Sequence, residues 1–452
     1  MKKRINWIHF LLCLTLLASA LTACQTPKTP ASKSASLPAP GSLFGISGTF
    51  NLTGLFPGSV AGWARSHEQY PLWESIEPQP GERNWAAVAD LEKWILESSG
   101  QGSQVILVVG KTPAWALKPG HTAGAVAPEQ MAAFGQFMTD LVRRYSMPPY
   151  NVKYWELWNE PDAAQVLGDW GEPNDPYYGG KAYGEMLKQI TPMIKAADPT
   201  AQVLVGGLLL NADPAKTGLS EESQRAALFF KGVLEAGAGS AFDGVSFHGY
   251  DYYGYQAGVY GNSNWNAQWD ITGPAFGVKA QYLKDLLTQY QLSGKYLMST
   301  ENALICPKDG TELECQGAEY ENTKSAYLVQ SYALATALGL RANIWYSAVG
   351  WRGSGLLNPD SSARPSYAAY TFAAHMLGNA KYATEMTGRP GLKGYGFTQD
   401  GRQFWVLWSV SGPQDVAWGT APAAVYDTWG QALPASAVTS INWQPVYVEF
   451  AP

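Results

Sequence analysis

From Ser42 onward, short apolar runs alternate with stretches whose apolar residues recur three and four apart. The runs are "SLFGISGTF" from Ser42, "GWARSH" from Gly62, "QVILVVG" from Gln104 and "VKYWELW" from Val152, then "AQVLVGGLLL" from Ala201, "FDGVSFHGY" from Phe242, "KYLMSTE" from Lys295 and "ANIWYSAV" from Ala342. Between them lie helical stripes. One runs through Trp85, Val88, Leu91, Trp94 and Ile95, and another through Met131, Phe134, Phe137, Met138, Leu141 and Val142. Later ones run from Leu228 to Leu234, Tyr282 to Leu287 and Tyr327 to Leu338. Strands alternating with helices predict an α/β domain built on a parallel sheet. Eight strand candidates is the number a (β/α)8 TIM barrel needs. The first crossover departs from the pattern, because the interval from Phe50 to Trp63 is too short for a full helix.

After "SYAAYTFAAHML" the period changes. The runs "GYGFT", "RQFWVLWSV", "AAVYDTWG" and "PVYVEF" alternate in the strand manner, and "TQDGRQ" sets an Asp-Gly hairpin turn between two of them. The barrel is therefore assigned to residues 42–378, and 379–452 to a small antiparallel, β-sandwich-like domain. No internal repeat is evident. The N-terminus reads as a targeting segment: "MKKR" is a basic n-region, followed by the apolar "INWIHFLLCLTLLASA". "LTAC" resembles the lipobox of bacterial lipoproteins, which implies a signal peptide over 1–23 and lipid on Cys24. An ordinary secretory signal and an uncleaved anchor are the alternatives. Residues 24–41, rich in Pro, Ser, Ala and Lys, read as a tether. The expected location is outside the cell, lipid-anchored to the envelope.

Composition narrows the function. The 452 residues suffice for one large domain and a smaller one. Aromatics at 13% exclude a disordered chain. A net charge of −6 without a basic run argues against a nucleic-acid partner. With Cys13 in the signal and Cys24 lipidated, Cys306 and Cys315 remain, and in an oxidising compartment they are expected to form a disulfide. No metal-ligand motif and no phosphate-cradling loop is present, so neither a metal nor a cofactor is expected.

The candidate chemistry is carboxylate chemistry. In a TIM barrel, functional side chains sit at the carboxyl ends of the strands. With period two, Glu156, Trp158 and Glu160 share one side of the fourth strand; Glu160 stands at the rim beside Asn159, Pro161 ends the strand, and Glu156 lies deeper. The seventh strand ends likewise in Glu301. Taken singly, Glu160 reads as a capping carboxylate and Glu301 as a surface charge. Taken together across a barrel mouth, they are the equipment for glycoside hydrolysis, one protonating the leaving oxygen and the other staying ionised.

"WNEP" and "STEN" at those strand ends resemble clan A of the retaining glycoside hydrolases. "WESIEPQPGERNW", "KTPAWA" and "SFHGY" extend the likeness over about residues 42–378, nearest to glycoside hydrolase family 39. The resemblance implies Glu160 as acid/base, Glu301 as nucleophile and Asn159 on the sugar 2-hydroxyl. It implies that Arg65 keeps the nucleophile ionised, an ion pair with Glu156 being the alternative. His248 and Tyr250 would touch the nucleophile or the glycone, with core packing as the alternative. Trp345 would be a stacking platform or else a barrel-wall residue, and Trp115 has similar standing. His67 lies close enough to Arg65 in sequence to reach the cleft, whereas His375 reads as a core residue of an apolar helix. The aromatic loop Gly249–Trp269 suits a carbohydrate or a protein surface. The Cys306–Cys315 pair falls in the loop after the seventh strand, where a disulfide would stiffen the lip of the cleft. The leading reading is a retaining glycoside hydrolase acting on β-linked glycans. A non-catalytic polysaccharide-binding lipoprotein and a transglycosylase are the alternatives, and the sugar, exo or endo action and oligomeric state are left open.

Overall fold

A computed structural model describes residues 42–66, 73–163, 168–265 and 273–451. The expected signal, Cys24, the tether and His67 lie outside the described residues. Eight parallel strands form the centre: β1 Phe44–Ser47, β2 Trp63–Arg65, β3 Gln104–Val109, β4 Tyr154–Asn159, β5 Gln202–Leu208, β6 Gly244–Tyr253, β7 Tyr296–Ile305 and β8 Ala342–Trp345. Each pairs with the next, and β8 pairs back onto β1, so the sheet closes into a TIM barrel. The interior is filled by Trp63, Ile106, Tyr154, Leu204, Met298, Ala342 and Ile344. Alternate residues such as Trp155, Val203 and Val245 face outward into the layer of helices. The first crossover is one 3-10 turn, Thr53–Leu55. Full helices follow later strands, among them Met131–Tyr145, whose Phe134, Phe137, Met138 and Leu141 are wholly buried.

Two departures from ideal barrel geometry bear on function. Strands β6 and β7 run ten residues each and stay paired out to Tyr252 and Ile305, so a ribbon stands above the barrel mouth. On β7 a bulge at Thr300 shifts the register from Phe247 opposite Ser299 to His248 opposite Glu301.

The C-terminal sheet comprises β9 Lys381–Glu385, β10 Leu392–Gln399, β11 Arg402–Ser409, β12 Ala424–Tyr426, β13 Ala432–Leu433 and β14 Val446–Phe450, in spatial order β9-β10-β11-β14-β12-β13. Asp400 (φ 50°) and Gly401 (φ 80°) close the β10–β11 hairpin, both in the left-handed conformation that a type I′ turn requires. One face, with Phe397, Phe404 and Tyr447, joins the main core; the Tyr447 ring lies 5.0 Å from Phe372 of helix Pro365–Leu377. The other face, with Leu392, Leu407 and Val448, packs on Ile441 of a two-residue ribbon.

Two sequence expectations need correction. Trp158 does not share the inner face with Glu156: its φ of 72° breaks the alternation, and its ring packs outward on Phe134 and Trp170 at 5.6 and 5.2 Å. His375 is exposed rather than part of the core, and its carbonyl accepts from Gln399 of β10 (3.2 Å).

Candidate active site

Glu160 follows β4, where its N–H donates to Gly207 O of β5 (2.9 Å) and its φ of 49° is left-handed. A non-glycine residue in that region is strained, and the bend carries the side chain over the mouth after the strand has ended. The carboxylate sits 2.7 Å from His248 Nδ1 on β6 and is 6% exposed. Glu301 reaches the same point from β7. A carboxylate oxygen of each glutamate and a ring nitrogen of His248 lie within 4.8 Å of one another.

The two carboxylates share His248, whose Nδ1 lies 2.7 Å from Glu160 and 3.5 Å from Glu301, and differ in their other neighbours. Arg65, wholly buried at the end of β2, donates through Nη1 to Glu301 Oε1 (2.6 Å). Its Nε and Nη2 form a fork on Glu156 (3.0 and 2.8 Å), and Nη2 also reaches Asn159 Oδ1 (2.8 Å). Arg65 therefore pairs with Glu156 and with Glu301 at once, the two partners that the sequence reading had set against each other. Burial alone would lower its pKa, but the Coulomb attraction of Glu156 and Glu301 outweighs it, and the guanidinium stays charged. The Tyr250 hydroxyl donates to Glu301 Oε2, and burial together with the Glu301 charge pushes its pKa well above the ordinary value.

Two groups beside Glu160, Asp162 and Lys279, titrate nearer neutrality. Asp162 accepts the N–H groups of Leu209 and Leu210 (2.8 Å each), yet burial raises it to about 6. Burial likewise raises Asp251 to about 7 and lowers Lys279 to about 8. The Lys279 ammonium donates to Leu209 O and His248 O, 2.8 and 3.0 Å away.

A cavity of about 430 Å³ opens over the pair, lined by Asn159, Glu160, Tyr250, Glu301, Tyr346, Trp351 and their neighbours. Tyr250, Tyr346 and Trp351 form an aromatic corner with ring centroids 6.0 to 6.4 Å apart, and Trp351 is 51% exposed. Another recess of about 490 Å³, where β1 begins, has no carboxylate in its lining.

Glu160, Glu301, Asn159, Arg65, His248 and Tyr250 are thus brought together. Trp345 and Trp115 are not. Trp345 is wholly buried: Ala342 and Ile344 face the barrel interior, so Trp345 faces the helices, and its indole N–H donates to Ser354 O (2.9 Å). Strand parity puts the next residue, Tyr346, in the cavity instead. Trp115 lies off the cavity, donating to Glu77 O (3.1 Å) with its ring edge against Trp73. Sequence reasoning also missed Gly207, where a Cβ would fall 2.2 Å from His248 Nε2 and 2.7 Å from Glu156 Oε1. The paired glycines inside β5 were the available signal, since glycine in a strand often marks a close approach. Cys306 and Cys315 are joined in a disulfide at the end of β7. Among the described residues, Glu160, His248 and Glu301 are also spaced to ligate a metal ion, but Arg65 and Tyr250 already occupy both oxygens of Glu301.

Barrel, strand-end carboxylates and cavity together define a TIM-barrel glycoside hydrolase of clan A. The protein-family model for cellulase (glycosyl hydrolase family 5) matches residues 69–313, more than half of the chain, and the protein belongs to that family. No curated protein matches the chain. Among solved structures, a family 39 glycoside hydrolase from the gut symbiont Bacteroides cellulosilyticus superposes with a TM-score of 0.68 at 20% identity, covering 90% of this chain and 81% of that one. A glucosidase from Croceicoccus marinus gives 0.59 at 13% identity, covering 92% and 97%. A family 30 endoxylanase from Clostridium papyrosolvens gives 0.57 at 13% identity, covering 92% and 99%. At these identities the likeness is one of fold.

Proposed function

We propose that the protein hydrolyses β-linked glycans with retention of configuration, Glu301 acting as nucleophile and Glu160 as acid/base. The observation that carries the reading is the approach of the two carboxylates to within 4.8 Å. That spacing suits a retaining enzyme, which needs about 5–5.5 Å, rather than an inverting one at about 6.5–9.5 Å. In the first step Glu301 attacks the anomeric carbon while Glu160 protonates the glycosidic oxygen. In the second, Glu160 takes a proton from water, which displaces Glu301 from the sugar. Arg65 and Tyr250 keep Glu301 ionised and aimed, Asn159 meets the 2-hydroxyl, and His248 orients Glu160. The descriptions of the family model and of the glucosidase and endoxylanase favour gluco- or xylo-configured substrates. The disulfide fits the oxidising compartment expected of an exported protein lipid-anchored at Cys24.

The test is azide rescue with aryl β-glycosides. Glu301→Ala with azide should give the α-glycosyl azide, and Glu160→Ala the β-glycosyl azide. Wild-type inactivity on every β-glycoside, with no rescue in either variant, would contradict the reading.

A further inference from the structure

We propose that the cavity selects a sugar bearing an anionic group, a carboxylate or sulfate ester, which Arg352 binds one ring away from the scissile bond; this rests on the glycosidase reading above. Arg352 lies in the loop after β8, between Gly350 and Gly353, and lines the same cavity as Glu160 and Glu301. It is fixed to the end of β7: Cys306 N–H donates to Arg352 O (2.9 Å), and Arg352 Nε donates to Cys306 O (2.6 Å). The Cys306–Cys315 disulfide braces that point. The guanidinium carbon stands 5.4 Å from the Tyr252 ring centroid and 5.0 Å from that of Trp351. Tyr252 is two residues beyond Tyr250 on β6, about 7 Å along the strand. The cation therefore sits outward of the ring that Glu301 would attack, at the position of a neighbouring ring.

The charge balance makes Arg352 distinctive. The other cation lining the cavity, Lys279, donates hydrogen bonds to two carbonyls and has Asp251, Asp162 and Glu160 around it. Arg352 forms no ion pair among the described residues; only its Nε has a hydrogen-bond acceptor, and Nη2 is buried without one. A neutral glycan would bring that guanidinium no anionic group to pair with. A carboxylate or sulfate can accept from the remaining donor, Nη1, in a charge-assisted hydrogen bond, roughly twice as strong as a neutral one.

The experiment compares kcat/KM of the wild type on three substrates: a β-linked glycan carrying uronate groups, the same glycan after chemical reduction of its carboxyls, and a sulfated counterpart. The expected result is a preference of tenfold or more for the uronate or the sulfated form over the neutral one, weakening as salt rises. Which anionic form is favoured identifies the group. Arg352→Gln should shrink that ratio at least tenfold, and Arg352→Lys should keep part of it. Equal wild-type turnover of charged and neutral forms overturns the proposal, as does a loss in Arg352→Gln that is the same on both. The wild-type ratio and its salt dependence decide the matter even if a variant fails to fold. A wild type inactive on all three substrates overturns the glycosidase reading itself.

Discussion

Glu301 and Glu160 share a cavity, yet the protein treats them differently. Two partners of Glu301 keep one protonation state across neutral pH: Arg65 stays charged, and Tyr250 keeps its proton. Glu160 touches His248 and has beside it Asp162, raised by burial to about 6, and Lys279, lowered to about 8. Apart from His248, which touches both glutamates, the Glu301 side holds groups of fixed charge and the Glu160 side holds groups that titrate near neutrality. That division matches the proposed roles, since a nucleophile needs only to remain ionised whereas an acid/base must gain and lose a proton in each cycle.

The division can be broken or sharpened by substitution. The largest effect belongs to the carboxylates. Glu301→Ala should cost about 10⁴-fold or more in kcat/KM with every leaving group. Glu160→Ala should cost about 10²–10⁴-fold with a poor leaving group and far less with 2,4-dinitrophenolate, which departs without protonation. Leaving-group plots of the same shape for both variants would erase the distinction. Stability comes next. Arg65→Met leaves Glu156 and Glu301 buried beside no cation and should lower unfolding free energy by about 3–5 kcal/mol. His248→Gln, which loses one hydrogen bond, should cost about 1–3 kcal/mol. Denaturant titration of both variants checks that order, and its reversal would place the structural weight on the Glu160 side. The smallest effect is a pH slope. Between the ordinary 3.8 and about 7, folded Asp251 holds a proton that the unfolded chain has released. Its contribution to stability is therefore complete below the lower value and lost as pH rises through the upper one. Melting temperatures of Asp251→Asn should fall less steeply than wild type from pH 4 to 7; parallel curves would remove Asp251 from the titrating group.

The barrel was legible because its strands are apolar runs at regular spacing, and the carboxylates because each ends such a run. What escaped was local geometry. Extrapolating period two through β4 put Trp158 inside; the left-handed turn at that residue, which nothing in "YWELWNEP" announces, puts it outside. The Thr300 bulge that sets Glu301 opposite His248 is equally silent in sequence. Trp345 is a different kind of error. Counting from the inward Ile344 already assigns the cavity to Tyr346, so the preference for a tryptophan platform overrode a parity that could have been read. Arg65 taught the opposite lesson: ion pair and nucleophile contact were posed as rivals, and one guanidinium has enough donors for both.

The most direct test is to trap the sugar. In the retaining mechanism a carbon–oxygen bond joins sugar to protein for part of each turnover, and a 2-deoxy-2-fluoro glycoside with an activated leaving group slows its breakdown enough for peptide mapping. The mass of one fluoroglycosyl unit is expected on the peptide containing Glu301. Label on Glu160, or turnover that releases the inverted anomer with no labelled peptide, would contradict the assignment.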